Sequence, residues 1–329
     1  LILAGDIGGT KTNLALFDAQ SAGPDEERAR ASFASAKYDS LEAILGEFLG
    51  DQRPQKIDVA CLAIAGPVVR DEVRATNLAW TVERASLARA LDTSRVYLIN
   101  DLEATAYGVE TLPPNSLLTL NEGGGASLGH RALIAAGTGL GMAGIFWDGA
   151  RFHPMPSEGG HAEFAPRGET QIALLKYLRG KFGEHVSAER VLSGRGLVNI
   201  YEFLRDECGE EEPAWLAREM EEDGDAPAAI SSAALARKSQ LAVRALDIFV
   251  EIYGAAAGNL ALLLKPVGGL YVGGGIAPKI LDKLREGTFM RAFADMGRMS
   301  ALANSFPVRV ILDDKTALYG AARCAQLRD

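Results

Sequence analysis

The first residues in this 329-residue chain that could do chemistry are three glycine-rich turns, each set directly behind an apolar run. They are Gly5-Asp6-Ile7-Gly8-Gly9-Thr10, Gly137-Thr138-Gly139-Leu140-Gly141 and Gly273-Gly274-Gly275. A turn without β-carbons lets backbone N–H groups approach an anion, so three of them fit a nucleotide held from several sides. One such turn alone reads equally well as a plain hairpin. A second group is polar. Asn100-Asp101 closes the apolar run Val96–Ile99, and ligands of open α/β sheets bind at the carboxyl ends of strands. The same two residue types also cap helices. Glu158-Gly-Gly-His161 sets an acid and an imidazole around two glycines, which implies backbone pressed against something, although a lone loop histidine is ordinarily just exposed. His185-Val-Ser-Ala-Glu189 adds another acid, which also reads as an ordinary first-turn helix residue.

These residues need elements to position them. Leu1–Ala4 and Leu14–Phe17 read as strands around the first turn, and Arg131–Ala136 and Met142–Trp147 as strands around the second. Setting Gly9-Thr10 against Gly137-Thr138 gives an offset of 128 residues, which suggests an internal duplication. The strand that follows each turn rejects two familiar motifs. Gly5-x-x-x-x-Thr10-Lys11-Thr12 nearly matches a P-loop and Gly139-x-Gly141-x-x-Gly144 matches a dinucleotide fingerprint, but both motifs must open a helix. Further strands are expected at Ile57–Ala65, Gly269–Val272 and Val308–Leu312. Asp39 and Glu42 have capping-box spacing ahead of a helix whose apolar face is Leu41, Ile44, Leu45, Phe48 and Leu49. Ala233–Leu264 reads as one long helix or two. A helix is expected after Pro278, and another over Thr316–Leu327.

Composition excludes several classes. The chain is 48% hydrophobic and 23% charged, an ordinary balance for a globular protein of about two domains. Its net charge is −9, and residues 206–225 alone hold ten acids against one arginine. The rest is neutral, with no basic stripe for nucleic acid, and the acidic run reads as a solvated surface segment. Cys61, Cys208 and Cys324 stand far apart in an odd number, against a disulfide framework. No basic-then-apolar leader is present, and the apolar stretch Ala255–Leu264 is too short for a membrane span. A cytoplasmic protein without a membrane partner is the expectation.

Taken in order, six blocks resemble those of the bacterial ATP-dependent glucokinase family, in the hexokinase and actin-like ATPase superfamily. They are Gly5–Thr10, Leu98-Ile-Asn-Asp101, Ala136-Gly-Thr-Gly-Leu-Gly141, Glu158-Gly-Gly-His161, Val186-Ser-Ala-Glu-Arg-Val-Leu-Ser-Gly194 and Val272-Gly-Gly-Gly-Ile-Ala-Pro278. Thr76-Asn77 with Trp80 adds another. The resemblance implies an α/β, two-domain actin-like ATPase (ribonuclease H-like) fold with an interdomain cleft for sugar, divided as 1–109 plus 313–329 and 110–312. It implies transfer of the ATP γ-phosphate to the 6-hydroxyl of glucose, with Asp101 as base. Asn100, Asp101, Glu158, His161 and Glu189 would bind the sugar. Gly5, Asp6, Ile7, Gly8, Gly9 and Thr10 would hold ATP phosphates with Gly137, Thr138 and Gly139, while Gly273, Gly274 and Gly275 would lie by the adenosine. Asp6 would hold Mg²⁺ through water. A homodimer is implied. Cousins with a CxCGxxGC zinc site differ here, since residues 162–184 contain no cysteine, so no zinc is expected. Lys11 resembles those cousins but reads by default as an exposed turn lysine. A kinase for another hexose, a sugar-responsive regulator and an actin-type polymerising ATPase are the rival readings. A regulator of that kind typically adds a helix-turn-helix domain, for which no room is expected before residue 1. Self-assembly would not need the Glu158–His161 pair.

Overall fold

The structure is a computed structural model that describes residues 1–18, 27–52, 56–66, 68–69, 71–74, 78, 80–125, 128–222 and 224–328. Thr76 and Asn77 of the additional block, Pro67 and Asp223 lie outside the described residues. The chain forms two compact units. One is Leu1–Ser116 with Phe152–Pro156 and Asp313–Asp329, and the other is Leu117–Arg151 with Ser157–Leu312. The second unit begins at the strand Leu117–Asn121, seven residues beyond the expected junction at 110.

The first unit is built on a five-stranded sheet ordered Glu27–Ala34, Lys11–Phe17, Ile2–Ile7, Val59–Ile64, Val96–Asn100. Ile2–Ile7 pairs antiparallel with Lys11–Phe17, parallel with Val59–Ile64, and that strand pairs parallel with Val96–Asn100. Strand alternation sends Leu3, Ile7, Leu14 and Leu62 to one face, where they meet Leu41, Ile44 and Phe48 of the helix Leu41–Gln52. That helix is capped by Ser40, whose Oγ accepts from the Ala43 N–H at 3.3 Å. The expected capping role of Asp39 is corrected accordingly, because the hydroxyl of the residue directly before the helix reaches the free N–H of its first turn. The other face carries Ile2, Ala4, Cys61 and Ala63 under the helix Thr316–Leu327. There Cys61 and Cys324, remote in sequence, meet thiol to thiol, and burial pushes the Cys61 thiol up.

The second unit repeats the frame. Arg131–Ala136 pairs antiparallel with Leu140–Trp147 and parallel with Leu270–Gly273, which in turn pairs parallel with Val308–Ile311. Leu117–Asn121 adds an antiparallel edge beside Val308–Ile311. The helical region after Ala226 resolves into two helices, Ala226–Leu235 and Gln240–Leu264. The break contains Arg237 at φ +55°, and Ser239 caps the second helix by accepting from the Ala242 N–H at 3.2 Å. Gln240–Leu264 is long and apolar enough to cross a membrane by length and composition, which corrects the expectation from Ala255–Leu264 alone. Its apolarity has a local cause: Leu246, Phe249, Val250 and Tyr253 are buried in the core of this unit with Phe289 and Phe293. Pro278 lies within a short 3₁₀ turn, Ala277–Ile280, and the expected helix follows as Leu281–Arg285. Part of the acidic run forms the helix Ala214–Glu222, which buries Leu216 and exposes Glu221 and Glu222.

Candidate active site

In the first unit Gly5, Asp6 and Ile7 are strand residues, and the turn proper begins at Gly8. This corrects the expectation of a single Gly5–Thr10 turn. Gly5 and Ile7 belong to the core face, where a β-carbon on Gly5 would lie 2.6 Å from the Leu62 side chain. Gly5 is glycine for packing. The turn is held by a residue that sequence reasoning missed. The Ser35 N–H donates to the Thr10 carbonyl at 3.0 Å, and the buried Ser35 hydroxyl donates to the Gly8 carbonyl at 2.8 Å while meeting the Thr12 hydroxyl at 3.0 Å. Nothing in the local sequence marks Ser35. Lys11 is exposed.

Asp6 stands opposite Asn13 near the end of the hairpin. Burial, and then the neighbouring charge of Asp101, raise its pKa from 3.8 to about 6; the Asn13 side chain opposes the rise with a hydrogen bond, and Asp314 adds to it. Three carboxylates of this unit therefore lie within electrostatic reach of one another. Asp314 was missed because it joins Asp6 only through the packing of the last helix. Asn100 caps the helix Asp101–Gly108: its Oδ1 accepts from the Leu102 N–H at 2.8 Å and its Nδ2 donates to the Gly66 carbonyl at 3.1 Å. Asp101 Oδ1 accepts from the same Leu102 N–H at 2.9 Å. Capping is thus real, and it also holds the Asp101 carboxylate in one orientation at a strand end.

In the second unit the polar residues gather around one peptide. The turn Gly137–Gly139 closes on itself, the Gly137 N–H donating to the Gly139 carbonyl at 2.8 Å. The next residue, Leu140, donates its N–H to Glu189 Oε2 at 3.0 Å. On its other side, a β-carbon on Gly160 would collide with the Leu140 carbonyl oxygen. The Glu158-Gly-Gly-His161 segment is therefore pressed onto the hairpin, its glycines required by that approach. Glu158 and His161 are exposed, carboxylate to imidazole 4.0 Å apart. Glu189 lies in a 3₁₀ turn, Ala188–Arg190. That turn is tied to the Glu158–His161 segment by a short ladder: the Phe164 N–H donates to the Val186 carbonyl and the Ala188 N–H to the Ala162 carbonyl, both at 2.8 Å. Glu163 and His185 clasp the same ladder at 2.8 Å, and that bond raises the His185 pKa.

The third turn lies beside the second. Gly274 has φ +81° and backs onto the Ala136 carbonyl, and the Ile276 N–H donates to that carbonyl at 3.2 Å. A buried hydroxyl that the sequence did not reveal pins both strand ends. Tyr253 Oη accepts from the Ala136 N–H at 3.2 Å and donates toward the Gly273 carbonyl at 3.3 Å. Beyond Gly275 opens a cavity of about 590 Å³ lined by Leu235, Arg237, Gln240, Asp247, Pro278 and Lys283.

Two sheets on one repeated frame, each ending its first hairpin in a glycine turn, define the two-domain actin-like ATPase fold. A solved glucokinase from an Antarctic psychrotroph shares it with a TM-score of 0.86 and 31% identity, covering 99% of this chain and 98% of that one. The Glucokinase family model matches residues 3–328, and the chain belongs to that family. Curated glucokinases of Nostoc punctiforme and of a further Nostoc species are 42% and 43% identical to it, in each case over 99% of this chain and 98% of the relative.

Proposed function

We propose that this chain is an ATP-dependent glucose kinase, which moves the γ-phosphoryl group of ATP to the 6-hydroxyl of glucose and releases ADP. The observation that carries the reading, in a chain of this family, is the strand-end carboxylate Asp101 held by the Leu102 N–H. A sugar hydroxyl is almost wholly protonated at neutral pH, so attack needs a positioned proton acceptor. Asp101 would take the 6-hydroxyl proton as the phosphoryl group is transferred. Asn100, Glu158, His161 and Glu189 would fix the ring through its hydroxyls. The phosphates would rest on the Gly8–Thr10 and Gly137–Gly139 turns, on N–H groups other than those of Gly8 and Gly137, which close the turns themselves; alignment and charge neutralisation carry most of phosphoryl transfer. Adenosine would take the cavity beyond Gly273–Gly275.

The residues fit a magnesium ion. Asp6 is a hard oxygen donor whose charge is crowded by Asp101 and Asp314, and a cation relieves that crowding. Among the described residues no three His, Cys, Asp or Glu side chains form a cage of their own, which suits an ion that keeps waters and leans on phosphate oxygens. When bound, magnesium would neutralise charge on the phosphates, with Asp6 holding it through water. We further propose a cytoplasmic homodimer that uses no zinc and binds neither nucleic acid nor membrane.

A panel of hexoses with MgATP, read as ADP release, tests the reading. Glucose should outpace fructose, galactose and mannose, because a site built to bond particular hydroxyls rejects sugars that misplace them. Equal rates on glucose and galactose would remove the glucose assignment and leave a sugar kinase.

A further inference from the structure

Glu189 does two things at once in this fold. Its Oε2 accepts the Leu140 N–H at 3.0 Å, at the point where the Gly137–Gly139 turn enters its second strand. Its own turn is bolted to the same loop from the other end. Ser193 Oγ donates to the Glu189 carbonyl at 2.8 Å, and the Gly194 N–H donates to the Gly137 carbonyl at 2.9 Å. The segment Glu189–Gly194 therefore grips the glycine turn at both of its ends. Glu189 remains partly exposed, and its second carboxylate oxygen is the one available to a sugar hydroxyl.

We propose that Glu189 is a coupling residue, one carboxylate oxygen setting the phosphate turn and the other meeting the sugar, so that occupancy of either site tightens the other. This rests on the proposed reading of Glu189 as a sugar ligand and adds a positioning role toward the nucleotide. A sugar hydroxyl that orders the carboxylate orders the Leu140 peptide with it. By linkage, nucleotide that settles the turn must favour glucose by the same factor.

Gly139 supplies a clean perturbation. Its backbone is outside the left-handed region, and a β-carbon there meets one group only, the Glu189 carboxylate, 2.6 Å from Oε2. Gly139→Ala therefore displaces Glu189 from within the phosphate turn. The experiment measures glucose binding by calorimetry, with and without a non-hydrolysable MgATP analogue, for the wild-type chain, Gly139→Ala, Glu189→Ala and the double variant, each checked by thermal unfolding. The wild-type chain should bind glucose about 5–50-fold more tightly with nucleotide present, the usual span of coupling between sites. Gly139→Ala should weaken glucose even without nucleotide and bring that factor toward one. In the Glu189→Ala background Gly139→Ala should change glucose affinity no further. Additive effects of the two substitutions, or a Gly139→Ala chain that binds glucose normally, overturn the coupling while leaving the kinase reading in place. A wild-type chain that binds no glucose overturns both.

Discussion

The two glycine-turn hairpins Ile2–Phe17 and Arg131–Trp147 share a frame and carry opposite chemistry. In Ile2–Phe17 the last pair before the turn is Ile7 opposite Thr12, and the next pair in is Asp6 opposite Asn13. In Arg131–Trp147 the corresponding pair is Ala135 opposite Gly141. One hairpin end is a crowded anion, and the other presents little but backbone. The means of holding the turn differ as well. The first turn is held from outside the hairpin by one residue, Ser35, through both its hydroxyl and its backbone N–H. The second is held by Glu189 on the Leu140 N–H, by the Gly194 N–H, and by Tyr253 beneath the strand ends. On the proposed function, one repeated backbone frame would serve as a half that adds proton and cation handling to its phosphate turn and a half that would meet phosphate with backbone alone.

The largest effect is expected of Asp101→Asn. The variant keeps size and capping but loses proton acceptance, so kcat should fall by about 10²–10⁴. Glucose affinity should change much less, and thermal unfolding should stay near that of the parent chain. A folded variant with near-normal kcat would make Asp101 a cap or a sugar ligand, and the proton-handling half would need another base.

Tyr253→Phe tests the other half. It leaves the buried Ala136 N–H without its oxygen acceptor, which should cost about 1–3 kcal/mol of stability. The KM for ATP should rise more than that for glucose, because both nearby glycine turns are the ones proposed to hold nucleotide. Denaturant unfolding and steady-state kinetics on the same preparation decide it.

Asp6→Asn asks whether the first hairpin stores electrostatic strain. The folded pKa of about 6 lies above the ordinary 3.8, so the folded chain holds this proton more tightly than the unfolded one. That contribution is present below about pH 4 and is lost as pH rises through 6. Asparagine carries no charge to lose. The variant should therefore gain roughly 1–2 kcal/mol at pH 7, a figure discounted because Asp6 keeps some solvent contact, and little at pH 4. Activity should drop at both. A melting temperature unchanged at pH 7 would mean that the three carboxylates are relaxed.

Ser35→Ala is the mildest change. It removes the hydroxyl from the Gly8 carbonyl, worth about 1 kcal/mol, and should raise the KM for ATP a few-fold. An effect equal to that of Tyr253→Phe would erase the difference drawn between the two turns.

Much of this was legible in the sequence. Apolar runs on either side of the glycines marked both hairpins, and the two glycines of Glu158–His161 announced a backbone under contact, which proved to be the Leu140 peptide. What stayed hidden was brought in by tertiary packing. Ser35, Tyr253 and Asp314 sit in segments whose local pattern is ordinary, and their roles exist only where a second element meets them. Cys61 and Cys324 looked unrelated for the same reason. The sequence left one helix or two open over Ala233–Leu264 because Ala236–Ser239 contains neither glycine nor proline, and the first helix stops instead at a left-handed arginine followed by a serine cap.

The helix Thr316–Leu327 covers the sheet whose first strand is Ile2–Ile7, yet a ribosome makes it about 300 residues later. At roughly 5–20 residues per second, the Ala4 and Cys61 face waits some 15 s to a minute for its cover. The second unit waits nearly as long, because its strand Val308–Ile311 is made only a few residues ahead of that helix. Both sheets therefore receive their last piece together at the end of synthesis, and a chain cut short before Thr316 would leave the Ala4 and Cys61 face bare.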